Sequence, residues 1–373
     1  MDALLESLFA ACEESKASDL HLATGLAPRF RVRGALVEFG GYRPFDAKSV
    51  DAVAMELGLS TLPLGTPDGT EKIRYTLVKE GSIDGAVTAP SGVRYRFNLF
   101  REMGKTAVAL RRLDAEFRSF EQLGLPQRIA DFCLETDGLV AVTGPTGSGK
   151  TTTLGTMLNR INETRDAHII TIEDPVEYVH TTKRCLVNQR QIGRDTKSFN
   201  DALVEALRQD PDVILVGEIR DLGTVRTALR AAETGHLVFT TLHAGDCAGA
   251  IERLISVFPA DEQSSARHQL ALSLRGVVAQ HLVRTADGKG RVPACEVLVN
   301  NTAVANLIAT GRSAQIYSVL ETGTAIGMRT LDQSLSELLA QGKISETAAM
   351  SLSKNPDALR ARVRHGIGAG GAS

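Results

Sequence analysis

Gly144-Pro145-Thr146-Gly147-Ser148-Gly149-Lys150-Thr151 constrains this chain more than any other segment. It follows the apolar run Leu139–Thr143 and leads into the helix-forming stretch Thr152–Asn162. Strand, glycine-rich turn and helix form the context in which G-x-x-x-x-G-K-[ST] wraps a phosphate. The glycines let several backbone N–H groups converge on phosphate oxygens, and the helix N-terminus adds favourable dipole charge. Lys150 is expected to reach the β- and γ-phosphates and the Thr151 hydroxyl to ligate Mg2+, with Thr152 completing the nucleotide-binding set. The segment predicts a nucleoside triphosphate site.

Everything else about the composition is compatible with such a site. A chain of 373 residues, 43% of them hydrophobic, has room for two or three domains with cores. Forty-two Lys and Arg against 44 Asp and Glu leave a net charge of −2, which gives no sign of a global nucleic-acid-binding surface. No apolar run approaches the ~20 residues of a membrane-spanning helix. The opening Met1-Asp2-Ala3-Leu4-Leu5-Glu6 lacks the basic-then-apolar order of a secretory signal. Cys12, Cys133, Cys185, Cys247 and Cys295 are scattered and never spaced Cys-x-x-Cys, which argues against a zinc ribbon or disulfide scaffold and for a reducing cytoplasm.

The texture of the chain changes along its length. Residues 1–113 read as a small α/β domain. An amphipathic helix carrying Leu4, Leu5, Leu8, Phe9 and Cys12 precedes Ser18-Asp19-Leu20-His21-Leu22 and the alternating strand Arg29–Gly34. A helix is expected near 47–58, and strands at 73–79, 83–88, 93–101 and 105–113, closely enough spaced for an antiparallel sheet. Residues 114–125 read as a linker. From 126 to 300, short apolar runs at 138–143, 168–173, 213–217 and 237–242 alternate with helix-length segments, the pattern of a mainly parallel sheet covered by helices. Residues 301–360 read as helices only, and 361–373, rich in glycine, as a flexible tail.

Acids and histidines stand where this sheet would present them. The strand Asp212–Val216 runs through Gly217 to Glu218, so a buried strand carries a carboxylate to the sheet's C-terminal edge, where it would orient or deprotonate water. The alternative is a strand-end acid facing solvent. Ile172-Glu173-Asp174-Pro175-Val176-Glu177 follows another apolar strand, and Pro175 ends it; alone, this cluster is equally an ordinary solvated turn. His236 and His243 bracket the strand Leu237–Leu242, and His243, at its C-terminal end, is the better candidate to sense a γ-phosphate.

The four blocks GPTGSGKT, IEDPVEY, DPDVILVGEIRD and ETGHLVFTTLHA, in that order, resemble the Walker A, Asp box, Walker B and His box of the secretion ATPase superfamily. With SDLHL near the start, LRQDPD before Walker B and TGTAIGMRTLDQ near the end, the chain is similar to the type IV pilus retraction ATPases, the PilT/PilU group. The resemblance implies an α/β chain: an N-terminal PAS-like domain, a RecA-like P-loop ATPase domain and a helical C-terminal region. It also implies a homo-hexameric ring hydrolysing ATP with Mg2+. Glu218 then activates water, Glu173 assists on the metal side, His243 reports the γ-phosphate, and Arg96 and Arg111 complete the phosphate site. Without the resemblance, both arginines read as exposed strand residues. The implied setting is the cytoplasmic face of the inner membrane, against a pilus platform protein and with a paralogous retraction ATPase as a further partner. No nucleic acid is implied.

The chain departs from the group in one place. Where retraction ATPases carry A-I-R-N-L-I-R-E, it reads Ala303-Val304-Ala305-Asn306-Leu307-Ile308-Ala309-Thr310, keeping the apolar face and losing both arginines and the glutamate. That loss, together with the segment Val283–Arg291, fits a PilU-like accessory beside a principal motor. The competing readings are a pilus or type II secretion assembly ATPase, a DNA translocase on the same core, and an adaptor that mainly reinforces a partner. The assembly ATPases usually carry a four-cysteine zinc site, which this chain lacks.

Overall fold

The computed structural model describes residues 2–63, 65–113 and 116–360, and these form two compact units. The first comprises Met1–Glu116 with Ile172–His180 and Gln189–Ser198; the second comprises Phe117–Thr171, Thr181–Asn188 and the chain from Phe199 onward. The proposed tail at 361–373 lies outside the described residues.

In the first unit, Asp19–Leu22 (β1), Arg29–Val32 (β2), Ala35–Glu38 (β3), Ser82–Thr88 (β4), Arg94–Glu102 (β5) and Lys105–Arg112 (β6) form a six-stranded sheet in the order β3-β2-β1-β6-β5-β4. Every adjacent pair is antiparallel. Strand alternation decides the core. Tyr95, Phe97 and Leu99 of β5 are buried, while Arg96 between them is exposed. Against that buried face pack Leu5, Leu8 and Phe9 of the helix Ala3–Glu14 and Val50, Val53 and Leu57 of the helix Ala47–Leu59. Phe9 stacks on Tyr95 with ring centroids 4.6 Å apart.

The strand expected at 73–79 is instead the middle of the helix Gly69–Glu80. Ile73, Tyr75 and Leu77 alternate with Arg74 and Thr76 and so mimic a period of two. The buried pair, however, is Ile73 and Leu77, four residues apart, while Tyr75 is 66% exposed. Gly81 ends the helix in the left-handed conformation, φ 83°, its N–H bonded to the Leu77 carbonyl.

A seven-stranded sheet runs β13-β12-β7-β11-β10-β8-β9; it belongs to the second unit apart from the ends of β8 and β9, from Ile172 and from Gln189, which fall in the first. Its strands are Gly138–Thr143 (β7), His168–Glu173 (β8), Leu186–Gln191 (β9), Val213–Val216 (β10), Leu237–Leu242 (β11), Leu274–Arg284 (β12) and Arg291–Val299 (β13). β12, β7, β11 and β10 are mutually parallel, and every residue of β7, β11 and β10 is buried. The expected parallel sheet is therefore present, with two additions that the four apolar runs did not include: β9 at one edge and, at the other, the hairpin in which β13 pairs antiparallel with β12. Beyond it the described chain is helical, with Thr302–Ala309, Ile316–Thr322, Leu331–Ala340 and Glu346–Leu352 the principal helices. All five cysteines are buried, free thiols. No helix among the described residues is long and apolar enough to cross a membrane.

Phe9→Ala removes a fully buried ring and its stack on Tyr95. Destabilisation of the first unit by about 3–5 kcal/mol is expected in chemical denaturation followed by tyrosine fluorescence. A loss below about 1 kcal/mol would show that this contact does not hold the helix to the sheet.

Candidate nucleotide-binding and catalytic site

The second unit gathers its candidate residues by strand register. β7, β11 and β10 run parallel, with Thr143 level with Leu242 and Val216 level with Thr240. Their C-terminal ends therefore form one edge, and β11 lies between the other two. The phosphate loop follows β7, His243 follows β11, and Glu218 follows β10 one residue later. A hydroxyl ties two of these loops together: the Ala244 N–H donates to Thr143 Oγ1 at 2.8 Å, and Thr143 Oγ1 lies 3.0 Å from the Ala244 carbonyl.

Within the loop, Gly144, Gly147 and Gly149 have φ of 144°, 75° and 88°, a backbone path that side chains resist. A Cβ at Gly144 would also sit 2.3 Å from the Gln280 carbonyl oxygen. Gly149 caps the helix Lys150–Thr164, so the helix begins at the lysine, with Thr151 and Thr152 in its first turn. Lys150 is 9% exposed, and its Nζ donates to the carbonyls of Gly144 at 2.8 Å and Pro145 at 3.1 Å. Burial pushes its pKa down, and the Glu218 carboxylate opposes that shift. Pro145, Thr146 and Gly147 form the exposed crest of the loop.

Ser148 supplies a direct test of the fit to phosphate. Its Oγ is buried and has no hydrogen-bond partner. A buried hydroxyl without a partner is costly, and an incoming acceptor such as a phosphate oxygen would satisfy it.

Glu218 is largely buried, its Oε2 2.7 Å from Arg220 Nε and 3.9 Å from His243 Nε2. Desolvation and the Lys150 cation lower the pKa of His243, more than Glu218 raises it, so the imidazole is neutral near pH 7. His236, at the other end of β11, bonds the Ala231 carbonyl through Nδ1 at 3.0 Å and closes a helix end.

Glu173, Arg96 and Arg111 belong to the first unit. Glu173 is 7% exposed and accepts from Gln189 Nε2 at 3.1 Å. Arg96 and Arg111 face each other in register across β5 and β6. Arg96 Nη1 lies 3.8 Å from Glu177 Oε1, and Arg111 Nε donates to Asp19 Oδ1 at 2.8 Å while its side chain stays 71% exposed. Asp19 stands between two arginines, level with Arg111 on one side and Arg31 on the other. Burial would raise its pKa, but hydrogen bonds from Ser18 and Arg111 outweigh that and hold the carboxyl below its ordinary value.

The family model for type II/IV secretion system proteins matches residues 77–370. The chain belongs to that family. The type IV pilus retractation ATPase PilT of Pseudomonas aeruginosa is 42% identical over 356 residues, covering 95% of this chain and 99% of the relative. The type IV pilus ATPase PilU of the same organism is 36% identical over 361 residues, covering 97% of this chain and 91% of the relative. The crystal structure of the pilus retraction motor PilT with bound ADP is similar throughout. It gives a TM-score of 0.85 at 41% identity, with 97% of this chain and 100% of that one covered. Within the family, the chain is a member of the pilus retraction ATPases, with their two-domain α/β fold.

Sequence reasoning passed over one arginine of this retraction ATPase. Arg94 is two residues before Arg96 on β5. Its Nε donates to the Val176 carbonyl at 2.6 Å and its Nη1 to Thr88 Oγ1 at 3.0 Å. Burial lowers its pKa and Glu173 opposes that shift, so this cation braces the acidic turn rather than facing solvent. The i, i+2 spacing of Arg94 and Arg96 was the available signal. Arg220, bonded to Glu218, was likewise legible only as part of the Walker B block.

Asp19 is depressed in the folded state. Its contribution is therefore complete above the unfolded carboxylate value of about 4 and disappears as pH falls through the lower folded value. Asp19→Asn is expected to flatten the acid limb of the stability profile below about pH 4. Parallel acid limbs in the two proteins would remove Asp19 from the balance.

Proposed function

We infer that this chain is a homo-hexameric motor that hydrolyses ATP and drives type IV pilus retraction from the cytoplasmic side of an inner-membrane platform protein. The observation that carries the reading is the phosphate loop with its buried, unpartnered Ser148 hydroxyl and buried Lys150, beside Glu218 and His243 on one sheet edge. Loop amides and Lys150 hold the β- and γ-phosphates. Mg2+ neutralises phosphate charge when bound. The Thr151 hydroxyl and Glu173 carboxylate are the hard oxygen donors suited to it, since this ion takes few protein ligands and keeps phosphate and water oxygens. Glu218 orients the attacking water and accepts its proton. Neutral His243 donates to or accepts from the γ-phosphate neighbourhood according to occupancy. Arg96 and Arg111 offset charge developing on the transferring phosphoryl group.

Lys150→Ala is expected to abolish turnover, and Glu218→Gln to retain ATP binding while losing hydrolysis. Arg96→Ala and Arg111→Ala should each lower kcat by ~10²-fold with smaller effects on ATP affinity. Wild-type turnover in both arginine variants would return them to the role of surface residues, and near-normal turnover in Glu218→Gln would remove that acid from catalysis.

The accessory reading rests on the helix Thr302–Ala309. Val304 and Ile308 are buried, so the apolar face of the altered motif is kept, and Ala305 and Ala309 stand half-buried where the group carries arginines. Surface ion pairs contribute only ~0–1 kcal/mol, so their loss bears on coupling to the platform more than on folding. A strain holding this ATPase as its sole retraction motor should retract pili poorly, and adding a paralogue should restore speed or force. Normal retraction by the sole motor would make it a principal motor and leave the ATPase reading intact.

A further inference from the structure

Gln280 lies on β12, one residue beyond the point where Ala279 pairs with Thr143, so it flanks the first residue of the phosphate loop. It is 3% exposed. Its Nε2 donates to the Ser148 carbonyl at 2.8 Å, and its Oε1 accepts from Thr153 Oγ1 at 2.7 Å. Thr153, 1% exposed, sits in the first turn of the helix Lys150–Thr164. One amide thus clamps the loop to the helix that follows it. Both loop glycines nearest to it are needed for this approach. A Cβ at Gly144 would meet the Gln280 carbonyl oxygen at 2.3 Å, and one at Gly149 would meet its Nε2 at 2.8 Å.

The direction of the amide is chemically determined. A carbonyl can only accept, so the NH2 faces Ser148, and the threonine hydroxyl is then free to donate to the amide oxygen. The Ser148 carbonyl and the Gly149 N–H belong to one trans peptide and point in opposite directions. Drawing that carbonyl toward β12 turns the Gly149 N–H away from β12, toward the side of the loop that receives phosphate. We propose that Gln280 is a positioning residue for nucleotide binding: its side-chain amide sets the Ser148–Gly149 peptide so that the Gly149 N–H is available to a phosphate of ATP or ADP. This deepens the nucleotide-site reading and rests on it. Gln280 itself touches no reacting atom.

Gln280→Glu tests the donor with almost no change of shape. The ionised carboxylate still accepts from Thr153 but places a second oxygen against the Ser148 carbonyl. When protonated, it recovers a donor. ADP binding measured by isothermal titration calorimetry on the full-length protein should weaken by ~10-fold relative to wild type at about pH 8, since a buried acceptor facing an acceptor forfeits a full hydrogen bond. The deficit relative to wild type should shrink at about pH 6, because desolvation raises a buried carboxyl into that range. The KM for ATP should rise in parallel while kcat at saturation stays within ~3-fold. A purely structural loss would lower the fraction of active protein and therefore kcat, so the rise in KM with kcat spared is what sets the positioning role apart.

If Gln280→Glu does not fold, Thr153→Val carries the test. It removes the hydroxyl that orients the amide and should weaken ADP by ~3-fold or more, with Thr153→Ser binding as wild type does. ADP affinity equal to wild type in the folded Gln280→Glu protein, or in Thr153→Val where that protein does not fold, overturns the proposal. A deficit that is the same at both pH values overturns it too. Failure of the wild type to bind ADP would instead defeat the nucleotide-site reading beneath it.

Discussion

Three parallel strands that leave the sheet at one edge, β7 and β11 level and β10 two residues short of them, govern the second unit of this ATPase. β7, β11 and β10 are buried along their whole length, so hydrophobic burial on both faces sets their depth, and the parallel register sets where each chain leaves the sheet. The phosphate loop, His243 and Glu218 have no long-range attraction that would assemble them unaided. They meet because Thr143, Leu242 and Val216 finish at one edge, and a slip of register would separate them. The Thr143 hydroxyl strengthens the arrangement where it matters, tying the start of the phosphate loop to the residue after His243.

The electrostatics of that edge follow from burial. Lys150 is withdrawn from solvent and kept charged by two loop carbonyls and by Glu218, so a strongly solvated cation is replaced by one held in place. Partial burial, helped by the same lysine, keeps His243 neutral and able to act as donor and acceptor at once. Ser148 holds a hydroxyl without a partner. A site of this kind is stable only because the surrounding strands over-determine it, and it lowers its own free energy when an anion arrives.

The first unit solves a different problem, the presentation of arginines from a sheet. Alternation along β5 buries Tyr95, Phe97 and Leu99 and leaves Arg96 on the opposite face, while antiparallel pairing puts Arg111 directly beside it. Two like charges on neighbouring strands repel, and each is given an acid: Glu177 for Arg96 and the buried Asp19 for Arg111. Asp19 belongs to the Ser18–Leu22 motif, whose place in the resemblance is thereby given a physical content.

Local chemistry is enough to place the glycine-rich loop between strand and helix, the acids at strand ends, the two histidines around β11 and the parallel core, because each is encoded within a few consecutive residues. Gly144, Gly147 and Gly149 signal a backbone path, and continuous apolar runs signal strands buried on both faces. The helix Gly69–Glu80 was misread because a short apolar stretch satisfies periods of two and of nearly four at once, and only packing against the sheet chose between them. Arg94, Asp19 and Gln280 lay beyond sequence reasoning for a stronger reason. Their partners are Val176, Arg111 and Ser148, each more than eighty residues away, and nothing local encodes such a contact. Strand pairing decided those three, since a residue far along the chain is brought beside a loop only when the sheet between them has formed.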